Sequence, residues 1–192
     1  MNPARRDDTM PRPKPRPSLT DAIVALRADL ARDFARNPRL GQRITLVLWR
    51  AGNLLAHRRD PLSVLLRIVQ RLAVAVWFHG VLGAEIPTSV PIGPGLWLPH
   101  SARGCVIHPS ATIGADCTLY HEVTIGLMRD EGRAARIGDG VYLAAGAKVL
   151  GDITLADGTS VGANAVLLTD TLPGTTYVGV PAKPLGSAAP QA

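Results

Sequence analysis

Residues 137–167, which decide the fold, read IGDGVYLAAGAKVLGDITLADGTSVGANAVL. Within them a large aliphatic residue recurs every six positions, at Ile137, Leu143, Val149, Leu155, Val161 and Leu167. The same interval, broken by one step of nine residues and one of twelve, occurs upstream at Ile86, Ile92, Leu98, Ile107, Ile113, Leu119 and Ile125. A period of six fits neither an α-helix nor an alternating strand. It predicts a parallel β-helix, in which each hexapeptide forms a short strand and a corner and the aliphatic side chains stack inside.

Small side chains precede most of these aliphatic residues by two positions, where a β-helix needs compact corners. The only two cysteines of the chain, Cys105 and Cys117, both stand at such positions. We interpret them as small core residues, because two cysteines alone do not make a metal site and buried cysteine behaves as a small hydrophobe.

Several segments of the repeat region resemble the hexapeptide-repeat acyltransferases, and most of all the serine O-acetyltransferases. They are Glu85 and the segments 92–100 (IGPGLWLPH), 120–126 (YHEVTIG), 136–151 (RIGDGVYLAAGAKVLG) and 175–183 (TTYVGVPAK). The resemblance covers about residues 84–186. It implies a mainly-β protein with a left-handed parallel β-helix of three hexapeptides per coil. It also implies an enzyme that transfers an acetyl group from acetyl-CoA, its co-substrate, to a hydroxyl of a small acceptor.

The charge distribution argues against nucleic acid as the main partner. The chain has a formal net charge of +6, but residues 86–192 contain six basic and eight acidic side chains, so the positive charge belongs to the N-terminal part. Residues 1–17 combine five prolines with Arg and Lys, which predicts a disordered basic arm. This start has no apolar leader, and we expect a cytoplasmic protein.

Residues 18–84 predict a small helical region before the β-helix. Apolar residues recur at helical spacing from Ile23, and Asn37-Pro38 ends this first helix. A second set of apolar residues starts at Leu40, and Asp60-Pro61 is a strong start signal for a third helix that should end at residues 80–83. We interpret the aliphatic stripes of these helices as packing surface.

The most apolar stretch of the chain, residues 62–84, lies in the third helix. It is interrupted by Arg67, Gln70, Arg71 and His79. We therefore expect no membrane span.

The β-helix should occupy residues 85–186, followed by a flexible tail at residues 187–192. The twelve-residue step between Ile125 and Ile137 predicts a loop at Leu127–Ala135 that is extruded from the coils. In the resembling enzymes such a loop reaches across a subunit interface, and the coils associate side by side. The resemblance therefore implies a homotrimer, and a trimer is favoured over a hexamer because the helical region is short.

His100 is the predicted general base. It lies where the nine-residue step breaks the repeat, and imidazole can take a proton from a hydroxyl near neutral pH. Glu85 precedes it by fifteen residues, the interval of the Asp–His pair in the serine acetyltransferase pattern, so the resemblance makes Glu85 the residue that orients the His100 ring.

The other histidines outside the helical region have plainer interpretations. His108 precedes a proline in a turn, and we expect a corner residue. His121 is expected to face outward toward a neighbouring subunit. A γ-type carbonic anhydrase, with zinc held by His100, His108 and His121, remains a disfavoured alternative, because their intervals of eight and thirteen do not match that pattern. We expect no metal.

The resemblance also implies where substrates bind. Gly126 and Ala145 would let the pantetheine arm of acetyl-CoA approach the backbone, and Lys183 would face a phosphate. Arg133, in the predicted loop, would contact the acceptor.

The acceptor itself stays open between an amino acid and a sugar or polysaccharide. Serine acetyltransferases have Asp before the catalytic His, whereas this chain has Pro99. The printed chain ends SAAPQA, without the terminal Ile that many of those enzymes insert into cysteine synthase, so we expect no stable complex with that enzyme.

Overall fold

The computed structural model describes residues 19–186 except residues 57, 59, 130 and 131. The predicted arm, the predicted tail and His57 lie outside this range. Within it, a helical region is followed by a β-helix, and the two share one hydrophobic core.

Three helices open the described chain: α1 (Leu19–Arg36), α2 (Leu40–Ala56) and α3 (Pro61–Val74). As predicted, Asp60 caps α3, because its carboxylate accepts a hydrogen bond from the backbone N–H of Ser63 at 2.9 Å. Hydrogen bonds from the Ser63 side chain and from its backbone N–H hold the pKa of Asp60 below its usual range. The helix continues as a π-helical segment, Ala75–Leu82, and ends at Gly83, whose φ of 60° is the left-handed conformation that favours glycine.

Twelve short strands follow in the described chain and form three sheets. Sheet A contains β1 (Val106–Ile107), β4 (Thr124–Gly126), β7 (Lys148–Leu150) and β10 (Val166–Leu167). Sheet B contains β2 (Thr112–Ile113), β5 (Arg136–Ile137) and β8 (Thr154–Leu155). Sheet C contains β3 (Thr118–Leu119), β6 (Tyr142–Leu143), β9 (Ser160–Val161), β11 (Thr176–Gly179) and β12 (Ala182–Pro184).

The strand register confirms the predicted stacking. In sheet A, Ile107 pairs with Ile125, Ile125 with Val149, and Val149 with Leu167, all in parallel. These four side chains are at most 2% exposed, so the repeat positions do form the interior column. The pairing joins β1 to β4, β4 to β7 and β7 to β10, so one circuit of the coil passes through all three sheets.

The first coil, below β1, has no full strands and is covered by α1 and α2. Asp33 accepts hydrogen bonds from the N–H groups of Gly95 and Leu96, and Arg50 donates to the carbonyls of Ile92 and Gly93. Asp33 and Arg50 also form a salt bridge of 2.5 Å and are 0% and 5% exposed. The open end of a β-helix has backbone groups without strand partners, and buried polar side chains satisfy them here.

The aliphatic stripe of α3 faces outward in the single chain. Leu62, Leu65 and Leu72 are 58–65% exposed, whereas the buried residues of this helix are Ser63 and Gln70. Together α3 and the π-helical segment form a helix of 22 residues that is long and apolar enough to cross a membrane, with 17% of its 18-residue apolar window buried. We expected no membrane span because four polar side chains interrupt this stretch. By length and composition alone, however, the helix could still span a membrane.

Candidate active site

The corners between sheets divide the predicted site residues into two groups. The CA corner, between a strand of sheet C and the next strand of sheet A, comprises residues 98–105, 120–123, 144–147 and 162–165. The AB corner, between sheet A and sheet B, comprises residues 108–111, 127–135 and 151–153. His100 and Ala145 lie at the CA corner, whereas Arg133 and the end of β4, Gly126, lie at the AB corner.

His100 is exposed on a turn whose backbone is held from beneath. The two residues after it, Ser101 and Ala102, have φ of 58° and 63°, a conformation that costs a non-glycine residue on the order of 1 to 2 kcal/mol. Ala102 is fully buried, and the Thr45 hydroxyl donates to the Ser101 carbonyl at 3.2 Å. The surrounding contacts therefore maintain a strained turn, a feature often found at active sites.

Helix α2 also holds the residue before His100. The Gln42 side-chain amide, 2% exposed, donates to the carbonyls of Leu98 and Pro99 at 3.0 and 3.3 Å. Arg39 donates to the Pro99 carbonyl as well. The nine-residue step signalled an irregular turn, but the sequence contained no sign that α2 would support it.

His121 lies beside His100, not at a face turned away from it. The two rings meet edge to face, with centroids 4.8 Å apart, and His121 is partly buried. That His121 faces outward toward a neighbouring subunit stays a prediction. The interval of 21 residues could have indicated this proximity, because it equals one coil of eighteen plus the three extra residues of the nine-residue step.

Two tyrosines extend the cluster. The Tyr120 ring is 5.9 Å from His100 and 5.5 Å from Tyr142, between centroids. A side-chain hydrogen bond with Tyr120 raises the pKa of Tyr142. The Trp97 ring meets the Tyr120 ring edge to face, with centroids 6.3 Å apart, so aromatic rings from three successive coils cluster around Tyr120, next to His100.

Glu85 lies at the start of the first coil and forms a parallel bridge with Val106. Its side chain is exposed and lines a cavity of about 420 Å³ together with Arg71 and His79. In the described part of the chain the Glu85 carboxylate makes no hydrogen bond to His100. The two segments are nevertheless tied together, because the Gly104 N–H donates to the Leu82 carbonyl at 2.9 Å.

The remaining predicted residues occupy separate places. Ala145 lies one coil above His121, since the Gly146 N–H donates to the His121 carbonyl. Lys183 is exposed on β12, opposite Val178 of β11. Arg133 is exposed beside a groove of about 310 Å³ that Met128 and Asp152 also line.

The predicted loop returns to the coils at its C-terminal end. Ala134 is fully buried, and its N–H donates to the Ser110 hydroxyl at 2.8 Å. Arg133, the preceding residue, therefore stands on an anchored segment at the AB corner.

The cysteines and His108 have structural roles in this chain. Cys105 and Cys117 are fully buried, and desolvation raises the pKa of each thiol to about 11, which leaves them protonated and unreactive near neutral pH. His108 Nδ1 lies 2.8 Å from the Ser110 hydroxyl in its turn. Among the described residues no group of three His, Cys, Asp or Glu side chains has an arrangement suited to a metal ion.

Comparison with known proteins agrees with this architecture. The bacterial transferase hexapeptide (six repeats) family matches residues 134–169. The serine acetyltransferase of Mycobacterium tuberculosis is 34% identical over 178 residues, which are 88% of this chain and 75% of that protein. This chain belongs to the serine acetyltransferase family.

Solved structures extend the match to three dimensions. The serine acetyltransferase of Neisseria gonorrhoeae aligns with a TM-score of 0.66 and 29% identity over 86% of this chain and 68% of that one. The soybean enzyme aligns with a TM-score of 0.67 and 31% identity over 88% and 70%. Both enzymes have also been solved with serine. Family membership confirms two predictions, that the chain is an acyltransferase and that its β-helix is of the left-handed type.

Proposed function

We propose that this chain is an acetyl-CoA-dependent O-acetyltransferase in which His100 is the general base. The observation that carries the proposal is the exposed His100 on a strained turn that α2 holds in place, in a chain of the serine acetyltransferase family. His100 removes the proton of the acceptor hydroxyl while its oxygen attacks the thioester carbon. The carbon–sulfur bond then breaks, and the imidazolium returns the proton to the departing thiolate.

Glu85 is proposed to orient the His100 ring by accepting a hydrogen bond from its second nitrogen. The bond between Gly104 and Leu82, four residues after His100 and three before Glu85, supports this pairing because it keeps the two segments adjacent. Glutamate reaches one methylene further than the aspartate of the resembling pattern.

The site is proposed to be completed between copies of a homotrimer. His100 and Ala145 stand at one corner of the prism, and Gly126 and Arg133 at another, so one chain does not bring all of them together. A side-by-side arrangement lets the CA corner of one copy face the AB corner of the next. Acetyl-CoA would lie in that groove against Gly126 and Ala145 with Lys183 at a phosphate, and Arg133 would contact the acceptor. We place this enzyme in the cytoplasm, which suits two free thiols.

Replacing His100 tests the mechanism. We expect His100→Ala to lower CoA release by at least about a hundredfold, the lower range for loss of a general base. The thermal unfolding midpoint should hardly change, because the His100 side chain is exposed. Glu85→Gln should cause a smaller loss, since it removes an orienting partner and not the base. Normal turnover by a folded His100→Ala variant would refute the assignment.

A sugar hydroxyl is the second candidate acceptor. The Tyr120 ring lies beside His100, and the Trp97 and Tyr142 rings pack against Tyr120; together they provide apolar surface with polar edges, the kind of lining that small-molecule sites use. A coupled assay of CoA release with serine, homoserine, threonine and simple sugars separates the two candidates.

A further inference from the structure

The cavity beside Glu85 has one wall with two unpaired basic side chains. Its volume of about 420 Å³ is typical of small-molecule sites, and α3 with the π-helical segment forms one side of it. Arg71 and His79 line this side, and both are exposed. Within the described part of the chain neither side chain makes a hydrogen bond or an ion pair. A guanidinium without a carboxylate partner in a concave site is available to bind an anion.

The π-helical segment explains why these two residues share a wall. In a regular α-helix, residues eight positions apart point about 80° away from each other. A π-helix has i→i+5 hydrogen bonds and turns by a smaller angle per residue, so the π-helical winding of Ala75–Leu82 rotates His79 back toward the side of Arg71. The preceding residues, Gln70 and Phe78, are 8% and 0% exposed and fix the helix from its packed side. Such π-helical turns are rare and often occur at functional sites.

The opposite wall contains the proposed partner of the base. Glu85 and Thr88 of the first coil line it. Residues 61–84 contain no Asp or Glu, so the helix itself does not neutralise its basic wall. The Glu85 carboxylate repels an anion, and a bound anion therefore lies at the helix wall. The other end of the same ligand then extends toward Glu85, the residue proposed to orient His100.

We propose that this cavity binds an anionic group of the acceptor, a carboxylate or a phosphate, through Arg71 and His79; the inference rests on the proposed function. The Arg71 guanidinium donates paired hydrogen bonds to such a group, and the His79 ring donates an N–H in either protonation state. The hydroxyl end of the acceptor lies beside Glu85 and His100. The acceptor class is therefore a small hydroxy acid or an acidic sugar. Pro99, which has no side-chain acceptor for an ammonium group, agrees with a substrate of this charge.

Matched acceptors test the proposal with acetyl-CoA and the unmodified chain. Glucuronate and glucose 6-phosphate are compared with glucose, and glycerate is compared with glycerol. We expect the anionic member of at least one pair to have a kcat/KM about ten- to a hundredfold above that of its neutral counterpart, the usual effect of one hydrogen bond to a charged group. The carboxylate and phosphate pairs show which anion the cavity prefers. Equal rates within every pair would overturn the inference.

Substitutions on the basic wall locate the effect. Arg71→Gln should raise the KM of the preferred anionic acceptor by about ten- to a hundredfold and leave kcat within about threefold, because it removes binding that the ground state and the transition state share. The KM of the neutral counterpart should not change, which also shows that the variant is folded. His79→Leu should act in the same direction. Arg71→Lys should keep part of the affinity, because it retains the charge without the paired geometry.

The matched control is Arg27→Gln, which removes an exposed charge of α1 outside the cavity and should behave as the unmodified chain. The inference is overturned if Arg71→Gln raises the KM of anionic and neutral acceptors equally. It is also overturned if Arg71→Gln raises the KM of acetyl-CoA instead, because the cavity would then hold a phosphate of the co-substrate.

The proposed function fails in a different way. If the unmodified chain releases no CoA with any acceptor, both proposals fall. If His100→Ala stays active while Arg71→Gln weakens anionic acceptors selectively, the cavity keeps its role and the assignment of the base falls. If His100→Ala is inactive and Arg71→Gln has no selective effect, the inference alone falls.

Discussion

At the scale of the residue, the side chain at position 99 limits which acceptor groups can bind beside His100. Pro99 is buried and has neither charge nor a side-chain acceptor, and its carbonyl is already bonded to Arg39 and Gln42. An amino-acid acceptor bound at His100 would therefore lack the carboxylate that resembling enzymes place there for its ammonium group. The loss of one hydrogen bond to a charged group costs about 1.5 to 3 kcal/mol.

Free L-serine should accordingly be a poor acceptor. That cost corresponds to roughly ten- to a hundredfold weaker binding, so we expect a hydroxyl compound without a free ammonium group, such as a sugar or modified amino acid, to react faster. Steady-state rates of CoA release measure this. A kcat/KM for serine above about 10⁴ M⁻¹s⁻¹, which is ordinary for a native substrate, would contradict the prediction and identify serine as the native acceptor.

At the scale of the element, the docking of α1 and α2 on the first coil determines whether the His100 turn is held. The docking surface is polar: Asp33, Asn37, Gln42, Thr45 and Arg50 are all buried. Asn37 donates to the Leu96 carbonyl and accepts from the Leu98 N–H, as a neighbouring strand would. Two helices thus replace the missing coil below.

Removing Asp33 should disrupt this docking. Asp33→Ala removes the buried partner of Arg50, which then keeps only the partly exposed Asp29 at 3.2 Å, and it leaves the N–H groups of Gly95 and Leu96 without that acceptor. We expect a loss of about 3 to 5 kcal/mol in the free energy of unfolding, measured by urea denaturation. The control is Arg32→Ala, which removes an exposed pair with Asp116 and should cost no more than about 1 kcal/mol. Equal effects of the two substitutions would show that the buried pair is not important for stability.

At the scale of the whole molecule, the single chain has an exposed apolar face and an incomplete site. The outward face of α3 exposes a continuous set of large aliphatic side chains, and the proposed site is divided between two corners of the prism. A lone chain with so much exposed apolar surface is a poor candidate for a monomer in water.

We expect the protein in solution to be a homotrimer, because threefold packing brings the CA corner of one copy to the AB corner of the next. Light scattering after gel filtration should give three times the mass of the 20.3-kDa chain. Mixing His100→Ala with Arg133→Ala chains should restore part of the activity lost in either variant, because some sites then combine two intact corners. A monomeric mass for active enzyme, or no restoration in mixed trimers, would contradict the shared site.

The sequence by itself determined the β-helix, the start of α3, the end of the π-helical segment that continues it, and the irregular turn at His100. These features depend on residues that are close together in the sequence. A six-residue period assigns each side chain to the inside or the outside of the β-helix, and Asp60, Pro61 and Gly83 each act within one helical turn of their own positions. The same period fixed which aliphatic residues stack, since successive coils repeat it.

Only the tertiary structure fixed the distance between the His121 and His100 rings and revealed the polar face that docks the helices. The distance between the histidines depends on how the three extra residues of one turn are taken up, and their path is set by contacts with Thr45 and Gln42 from α2. Helix α3 packs against α2, where the buried Gln70 side chain donates to the Leu48 carbonyl, so the aliphatic stripe that normally marks a buried face lies outward.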